Sequence, residues 1–205
     1  MTVETQDFEL KLIQRSTGVE FDLESFQGMW TEAQYLKLTD QSNHLIEFTD
    51  GYIEVLPMPT DSHQMILRFI FLALMGFVEP SGGRVLFAPL RVQVRPRKYR
   101  EPDILLVLNA QDRRRQDEFW IGADLVVEVV SPDKSKRDTT EKPLDYAEAQ
   151  IPEYWIVNPL DETIIVLTLE GHAYATHGVF GRGEQATSLL LDGFAVSVDA
   201  AFDVR

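Results

Sequence analysis

Hydrophobic and polar positions along this chain are arranged in blocks that predict a mixed α/β protein. Apolar residues at helical spacing predict a short capped helix over residues 31–38 and a longer helix from Asp61 or Ser62 to about Val78. Between these helices, the segments LIEF and YIEVLP flank an Asp-Gly pair at 50–51, which strongly indicates a β-hairpin. The first part of the chain is therefore predicted to be a helix and a hairpin followed by a longer helix.

Apolar runs in the middle of the chain predict three strands, a helix and a fourth strand. The predicted segments are 84–94, interrupted at Pro89, then 103–108 and 125–130 for the strands, about 139 or 140 to 150 for the helix, and 153–157 for the last strand. Pro143 fits this helix only in its first turn, which places Lys142 near the helix N-terminus. Together with the preceding helix, the predicted order is αβββαβ, in a core of about residues 60–160.

The end of the chain is predicted to extend the sheet. A hairpin is predicted from residues 163–169 and 172–177, and a short β tail closes the chain near Phe202. The fold class is therefore α/β (α+β), with a mixed central sheet flanked by helices, an N-terminal helix and hairpin, and a C-terminal β extension. A length of 205 residues suits one domain spanning residues 1–205.

Composition narrows the chemistry that the protein can perform. The chain has no cysteine, so disulfides and thiolate metal sites are excluded, and a bound metal would take oxygen or imidazole ligands. Hard cations such as Mg²⁺ or Mn²⁺ fit such ligands best. The longest mainly apolar run, 69–78, is too short to span a bilayer. We therefore expect a soluble, cytoplasmic protein with no membrane contact.

The charge distribution gives two opposing indications about nucleic acid. A formal net charge of −14 argues against broad binding to phosphates, which normally needs a basic surface. A basic stretch nevertheless lies within residues 91–100, which contain no acid and could bind DNA through Arg91, Arg95, Arg97, Lys98 and Arg100. The alternative is that these side chains form a solvated strand face or an oligomer interface.

Asp103, Glu128 and Lys142 are the candidate catalytic residues. Each acid accompanies an apolar run that predicts a buried strand, where a carboxylate is costly unless it is paired or binds a metal. Asp103, Glu128 and the backbone carbonyl of Val129 are candidate metal ligands, and Lys142 could orient or deprotonate a water. Alternatively, Asp103 is a turn residue after Pro102 and Lys142 is a solvated lysine of the first helical turn.

The order of the motifs resembles that of a known family. The blocks are PD at 102–103, EVVSP at 128–132, D…K…Y at 138, 142 and 146, and EYWIVNP at 153–159. They resemble the PD-(D/E)XK nuclease superfamily, and more closely a large bacterial family of restriction-endonuclease-like proteins long catalogued as a domain of unknown function. IEF…DG at 46–51, Pro57 with His63, and LDGF at 191–194 resemble the terminal blocks of that family. The resemblance covers roughly residues 30–202.

The chain departs from the superfamily pattern at one important position. Val130 stands where a lysine is expected two residues after Glu128, and an aliphatic side chain cannot perform the function of that lysine. The resemblance implies that the lysine has migrated to the following helix, which assigns its role to Lys142. Asn158 replaces the usual Asp of the last block, and we expect little effect from that change.

The resemblance also implies two secondary candidates, Glu47 and His63, either of which could add a metal ligand or hold a water. The alternatives are a sheet-edge charge for Glu47 and a locally hydrogen-bonded helix-start residue for His63. Three aromatic residues of the later blocks are predicted to pack in the core rather than take part in chemistry, namely Tyr146, Tyr154 and Trp155.

Three functional hypotheses follow. The first is a Mg²⁺-dependent or Mn²⁺-dependent DNA endonuclease, acting as a homodimer because cleavage of both strands usually calls for two active sites. The second is a nuclease-fold binding or regulatory module that no longer hydrolyses DNA. The third is a metal-dependent hydrolase of another phosphodiester substrate. Sequence preference cannot be deduced from the chain, because recognition would depend on loops such as 109–119.

Overall fold

Two β-sheets, of six and five strands, form the framework of the described part of the chain. The computed structural model describes residues 11–14, 16–131 and 140–204. The helices are α1 (Glu32–Thr39), α2 (Asp61–Val78), α3 (Lys142–Glu148) and α4 (Val198–Phe202). The strands are β1 (Lys11–Gln14), β2 (Val19–Asp22), β3 (Ile46–Thr49), β4 (Tyr52–Val55), β5 (Arg84–Phe87), β6 (Arg91–Arg95), β7 (Lys98–Arg100), β8 (Ile104–Val107), β9 (Phe119–Trp120), β10 (Leu125–Val129), β11 (Glu153–Asn158), β12 (Thr163–Glu170), β13 (Ala173–Phe180), β14 (Gln185–Thr187) and β15 (Ala195–Ser197).

The six-stranded sheet has the order β13-β12-β11-β10-β8-β5. Its only parallel pair among these strands is β10 with β11, and the neighbouring pairs are antiparallel. Every described residue of β8 and β10 is buried, as expected for strands covered on both faces. The elements α2, β5, β8, β10, α3 and β11 follow one another in the predicted αβββαβ order. The predicted mixed sheet flanked by helices is therefore confirmed.

The segment 84–94 was predicted as one interrupted strand, and that prediction is wrong in its topology. Its two halves, β5 and β6, belong to different sheets, and Pro89, where the interruption was predicted, lies between them. The short strands β7 and β9 were not predicted. They complete a second sheet of order β4-β3-β7-β6-β9. The chain forms β6 and β7 of this sheet before β8 and adds β9 after β8.

The hairpin β3–β4 turns at Asp50 and Gly51, which both have positive φ angles, of 49° and 98°. Positive φ at both central residues is the requirement of the tight turn that suits twisted hairpins. Helix α1 covers this sheet and is held at its start by a capping box between Thr31 and Gln34. Its buried Tyr35 stacks on Phe48 of β3 with ring centroids 5.0 Å apart.

Helix α2 lies on the six-stranded sheet. It begins with a hydrogen bond from the His63 backbone to the Thr60 side chain, so the cap is Thr60 rather than Asp61 or Ser62 as predicted. One face of the helix is buried in the core through Ile66, Leu67, Ile70, Leu74 and Val78. Residues 61–81 are long and apolar enough to cross a membrane by length and composition, which corrects the expectation from 69–78 alone. The buried face against the sheet is that of a core helix.

The C-terminal segment adds β14, β15 and α4. The predicted C-terminal β extension is present as β14 and β15, but the chain ends this region as a helix, since Val198–Phe202 is helical and begins with a Ser197 side-chain cap. The preceding loop is held by Glu153, which is fully buried at the start of β11. Its carboxylate accepts hydrogen bonds from Trp155, Ser188, Leu189 and Leu190. This buried acid is therefore satisfied by neutral donors and has a structural role.

Candidate active site

One open cavity lies where β8 and β10 meet the first turns of α2 and α3. Its volume is about 70 Å³, enough for an ion and a few waters, since one water needs about 10–15 Å³. The charged and polar residues that line it are His63, Gln64, Glu101, Asp103, Glu128, Ser131 and Lys142, and Val129 also lines it. The three candidate catalytic residues therefore lie at one place.

Sheet register explains why the two candidate carboxylates meet. Ile104 of β8 pairs with Val127 of β10 in an antiparallel ladder. One step further along the same register brings Asp103 beside Glu128. The Val129 backbone N–H then donates to Asp103 Oδ2 at 2.7 Å. This hydrogen bond fixes the Asp103 carboxylate at the end of the β8–β10 pair that faces the cavity. Asp103 is thus not merely a turn residue after Pro102.

Glu128 is engaged by two side chains of the same helix. Lys142 Nζ lies 2.7 Å from Glu128 Oε2, and the Tyr146 hydroxyl donates to Glu128 Oε1. All three side chains are buried, with Lys142 only 5% exposed, so Lys142 is not a solvated lysine. Burial, and then the charge of Glu128, raise the pKa of Tyr146 well above its usual value. The phenol therefore remains a hydrogen-bond donor at neutral pH.

His63 belongs to this cavity rather than to its own helix start. Its Nε2 lies 3.2 Å from both Asp103 Oδ2 and the carbonyl oxygen of Val129. Burial lowers the pKa of His63, but the hydrogen bond and charge of Asp103, with Glu128 and Val129, outweigh burial and raise it above the usual value. Its Nδ1 is buried and has no hydrogen-bond partner among the described residues. The structure thus brings His63 to the site and does not support the local alternative.

Helix α3 is also held from its other side by the second sheet. The Arg100 guanidinium contacts Asp145 Oδ2 through Nε at 2.7 Å and Nη2 at 2.6 Å, and Lys98 also pairs with Asp145. Arg100 further lies 3.5 Å from Glu47 Oε2. The charges of Glu47 and Asp145 raise the pKa of the Arg100 guanidinium, although its burial acts to lower it. Glu47 is therefore a buried partner of Arg100 and not a sheet-edge charge.

Glu101 is a buried carboxyl that the sequence interpretation did not select. It lines the cavity, is 6% exposed, and accepts a hydrogen bond from the Ile46 backbone N–H at 3.1 Å. Burial, and then the negative charge of Glu47, raise its pKa to about 8. Its backbone N–H donates to Glu47 Oε1 at 3.2 Å, so the two acids are neighbours.

The donors around the cavity fit a hard divalent cation. Two carboxylates and a backbone carbonyl, from Asp103, Glu128 and Val129, are the oxygen ligands that Mg²⁺ and Mn²⁺ accept. The ammonium of Lys142 already lies beside Glu128, which shows that this carboxylate stabilises a cation. Within the described part of the chain, no three histidine or acidic side chains form a ready ligand cluster. Waters would complete the coordination shell, as is usual for Mg²⁺.

The basic stretch is engaged in ion pairs, which the sequence did not predict. Arg95 pairs with Asp50 and Glu148, Arg97 with Asp50, Lys98 with Asp145 and Glu148, Arg91 with Asp40, and Arg100 with Asp145 and Glu47. The assignment of these residues to nucleic-acid binding stays a prediction. The pairing argues against it most strongly for Arg91, Lys98 and Arg100, because their side chains are only 10–12% exposed.

Two contributions to the site could have been found in the sequence, and one could not. Glu101 and Asp103 are two residues apart in an extended segment, where alternate side chains point the same way. Tyr146 lies one helical turn after Lys142, on the same helix face. The role of Asp145 has no sequence signal, because its partners come from β7 in another sheet. Asp138 and Pro132 of the recognised blocks lie outside the described residues.

The fold and the cavity define a restriction-endonuclease-like protein. A family model described as putative restriction endonuclease, Uma2, matches residues 32–199. Because this match covers most of the sequence, the chain belongs to the Uma2 family. The family resemblance found in the motifs is thereby confirmed.

A solved structure supports the same fold. It is described as a putative nuclease belonging to DUF820 from Anabaena variabilis, with a TM-score of 0.67 and 21% identity over 82% of this chain and 96% of that one. No curated protein matches this sequence significantly. The family description and the fold both indicate a nuclease.

Proposed function

We propose that this protein is a divalent-metal-dependent endonuclease that hydrolyses phosphodiester bonds of DNA. The observation that carries the proposal is the convergence of Asp103, Glu128 and Lys142 on one cavity, since Lys142 contacts Glu128 at 2.7 Å. These are the acid, acid and lysine of the nuclease motif, with the lysine supplied by α3. The Uma2 family and the nuclease-like fold support the same assignment.

Each residue has a distinct task in this proposal. Asp103, Glu128 and the Val129 carbonyl hold Mg²⁺ or Mn²⁺. The bound ion would act as a Lewis acid on the phosphate and lower the pKa of a water. Lys142 brings a positive charge to the cavity, where it can orient the attacking water or stabilise charge on the phosphate. His63 holds the Asp103 carboxylate through its 3.2 Å contact, and Glu47 acts at a distance through Arg100.

The chain would cleave duplex DNA as a homodimer. Cleavage of both strands calls for two active sites, and the cavity described above supplies one for each chain. The net charge of −14 makes bound cations important, because they reduce repulsion between the acidic protein and the phosphates. We expect DNA affinity to depend on divalent metal for the same reason.

The test compares the parent with Asp103→Asn. This change keeps the side-chain shape and one carbonyl oxygen for the Val129 N–H, whereas Glu128→Ala would leave the Lys142 ammonium buried without that partner. Mn²⁺ binding is followed by calorimetry and cleavage by conversion of supercoiled plasmid. We expect Asp103→Asn to lose cleavage and most of the metal affinity while unfolding at nearly the parental temperature.

The matched control is Asp117→Asn, which makes the same chemical change in the exposed loop before β9. It should bind Mn²⁺ and cleave like the parent. Cleavage retained by Asp103→Asn contradicts the proposal. Metal binding by the parent without DNA cleavage would favour the hydrolase of another phosphodiester substrate, and a parent that binds no metal would favour the non-catalytic module.

A further inference from the structure

The Tyr146 hydroxyl makes a contact with Glu128 that the proposed reaction does not use. The phenol donates to Glu128 Oε1, on the carboxylate that the proposed function assigns to the metal. The side chain is fully buried, so neither substrate nor bulk water reaches it through the protein surface. Any influence of Tyr146 on the reaction must therefore act through Glu128.

The tyrosine ring is held by packing that does not involve Glu128. It lies in a cluster of buried residues with Val126, Val130 and Ile151, and the Tyr154 ring meets it edge-on with centroids 5.0 Å apart. A packed aromatic ring has two side-chain torsions and little freedom. Glu128 has its backbone fixed by β-sheet pairing with Ile156 of β11, but its carboxylate turns about three torsions. Tyr146 is thus the more rigidly held of the two side chains, and it can fix the position of the Glu128 carboxylate.

Lys142 is a less suitable residue for holding the carboxylate. It contacts the other oxygen, Glu128 Oε2, from one helical turn before Tyr146. An ammonium group on a flexible four-carbon chain is a mobile partner. In the proposed reaction this ammonium serves the water or the phosphate, so its contact with Glu128 must weaken when substrate is bound. The hydroxyl of Tyr146 has no such second task.

We propose that Tyr146 is a positioning residue that keeps the Glu128 carboxylate in its metal-binding orientation while Lys142 turns to the substrate. This inference rests on the proposed metal-dependent nuclease function. A carboxylate oxygen has two lone pairs, so a hydrogen bond from the phenol leaves room for a metal on the same carboxylate. Hydrogen-bond partners of metal ligands commonly change metal affinity or activity by about 10–100-fold when they are removed.

The experiment uses Tyr146→Phe, which deletes the hydroxyl and keeps the ring. The control is Tyr174→Phe, which deletes a phenol that donates to the Ile151 carbonyl at 2.8 Å and does not contact the cavity residues. Mn²⁺ dissociation constants are measured by calorimetry, and plasmid cleavage is measured over a series of Mn²⁺ concentrations. Thermal unfolding without metal verifies that both variants fold.

We expect Tyr146→Phe to bind Mn²⁺ about 10–100-fold more weakly and its cleavage curve to shift to higher Mn²⁺ concentration by a similar factor. Lys142→Ala should affect the two measurements differently. Its cleavage should be lost, whereas its Mn²⁺ affinity should equal or exceed that of the parent. Tyr174→Phe should match the parent in both measurements. A purely structural role of Tyr146 would change unfolding temperature without shifting the metal-dependence curve.

Three results overturn the inference, and they differ in what they imply for the proposed function. If the parent binds Mn²⁺ and cleaves, and a folded Tyr146→Phe has the parental Mn²⁺ affinity, the positioning role is wrong and the nuclease function stands. If the parent neither binds Mn²⁺ nor cleaves DNA, the proposed function fails together with the positioning role. Equal loss of affinity in Tyr146→Phe and Tyr174→Phe also contradicts it, because the effect would then not depend on contact with Glu128.

Discussion

Lys142 Nζ lies 2.7 Å from Glu128 Oε2 in an ion pair that is almost completely buried. The lysine comes from α3 and the glutamate from β10, so the two charges meet only after the helix has packed on the sheet. A buried ion pair contributes little net stability because both charges lose their hydration, yet losing one partner is costly. We therefore interpret the pair as an arrangement kept for chemistry rather than for stability.

Lys142→Met is predicted to destabilise the metal-free protein and to be compensated by metal. The substitution keeps the length of the side chain but leaves the Glu128 carboxylate buried without its cation, at a cost of about 3–5 kcal/mol. Mn²⁺ can replace the lost charge, so it should raise the unfolding temperature of the variant at least as much as that of the parent. Thermal unfolding with and without Mn²⁺ checks this prediction. An Mn²⁺ effect that disappears in the variant would contradict it.

Glu101→Gln is predicted to remove part of the pH dependence of stability. Burial and the charge of Glu47 raise the folded-state pKa of Glu101 to about 8, against a usual value of 4.5. Between these values the folded protein holds a proton that the unfolded chain has released, so stability falls as pH rises, by up to about 1.4 kcal/mol per pH unit. The stabilising contribution is complete below the unfolded-state pKa and is lost as pH rises through about 8.

The measurement for Glu101 is urea unfolding from pH 5 to pH 8.5 without divalent metal. Relative to the parent, Glu101→Gln should gain stability as pH increases over this interval, because the glutamine has no proton to lose. The same difference in free energy of unfolding at pH 5 and pH 8.5 would show that the carboxyl titrates near its ordinary value when folded.

The sequence predicts the core helices and strands because each of them is indicated by the residues of its own segment. The apolar runs around Asp103 and Glu128 are continuous enough to indicate buried strands, and Pro143 correctly places Lys142 in the first turn of a helix. The contacts of Arg100 with Asp145 and Glu47 could not be predicted, since they join two strands of the five-stranded sheet and a helix that are far apart in sequence. A basic stretch looks alike in sequence whether it faces DNA or acidic partners.

Buried acids show the same limit within one strand pair. Glu128 and Glu153 both belong to apolar strand segments, and the local sequence does not show which of the two has a structural role. The structure does, because Glu153 accepts hydrogen bonds from four neutral donors, whereas Glu128 has a lysine beside it and an open cavity. Neutral donors from side chains and backbone indicate a structural acid, and a cation with accessible space indicates a chemical one.

The contact between Arg100 and Asp145 is predicted to couple the second sheet to the catalytic helix. Both side chains are about nine-tenths buried, so Arg100→Met and Asp145→Asn should each destabilise the protein. Their effects should be non-additive by about 0.5–3 kcal/mol, as for residues that share a buried network. Denaturant unfolding of the two single variants and the double variant gives this coupling energy.

The control for that cycle is the pair Arg182–Glu162, which has similar geometry on the surface. Because water and salt screen an exposed pair, its coupling should be smaller than that of the buried pair. Additive effects at Arg100 and Asp145 would show that the second sheet does not hold α3 in place.

The ion pairs of the basic stretch predict that Arg95 contributes little to DNA binding. Its guanidinium already contacts Asp50 at 2.7 Å and Glu148 at 2.9 Å, so few counterions would be released when it approaches a phosphate. Loss of one phosphate contact lowers the slope of log affinity against log salt by about 0.9 for duplex DNA. We expect Arg95→Gln to change this slope much less, as measured by fluorescence anisotropy at several salt concentrations in the Asp103→Asn background.

Arg113→Gln is the matched comparison, because its exposed guanidinium lies in the loop before β9 and makes no ion pair with the residues that the structure describes. A cation without an acidic partner can release its counterions to a phosphate, so this variant should lose affinity and show the full decrease in salt slope. The opposite ranking, with Arg95→Gln more affected than Arg113→Gln, would mean that Arg95 leaves its acidic partners when DNA binds. The basic stretch would then be a nucleic-acid interface that is occupied by Asp50 and Glu148 until the substrate displaces them.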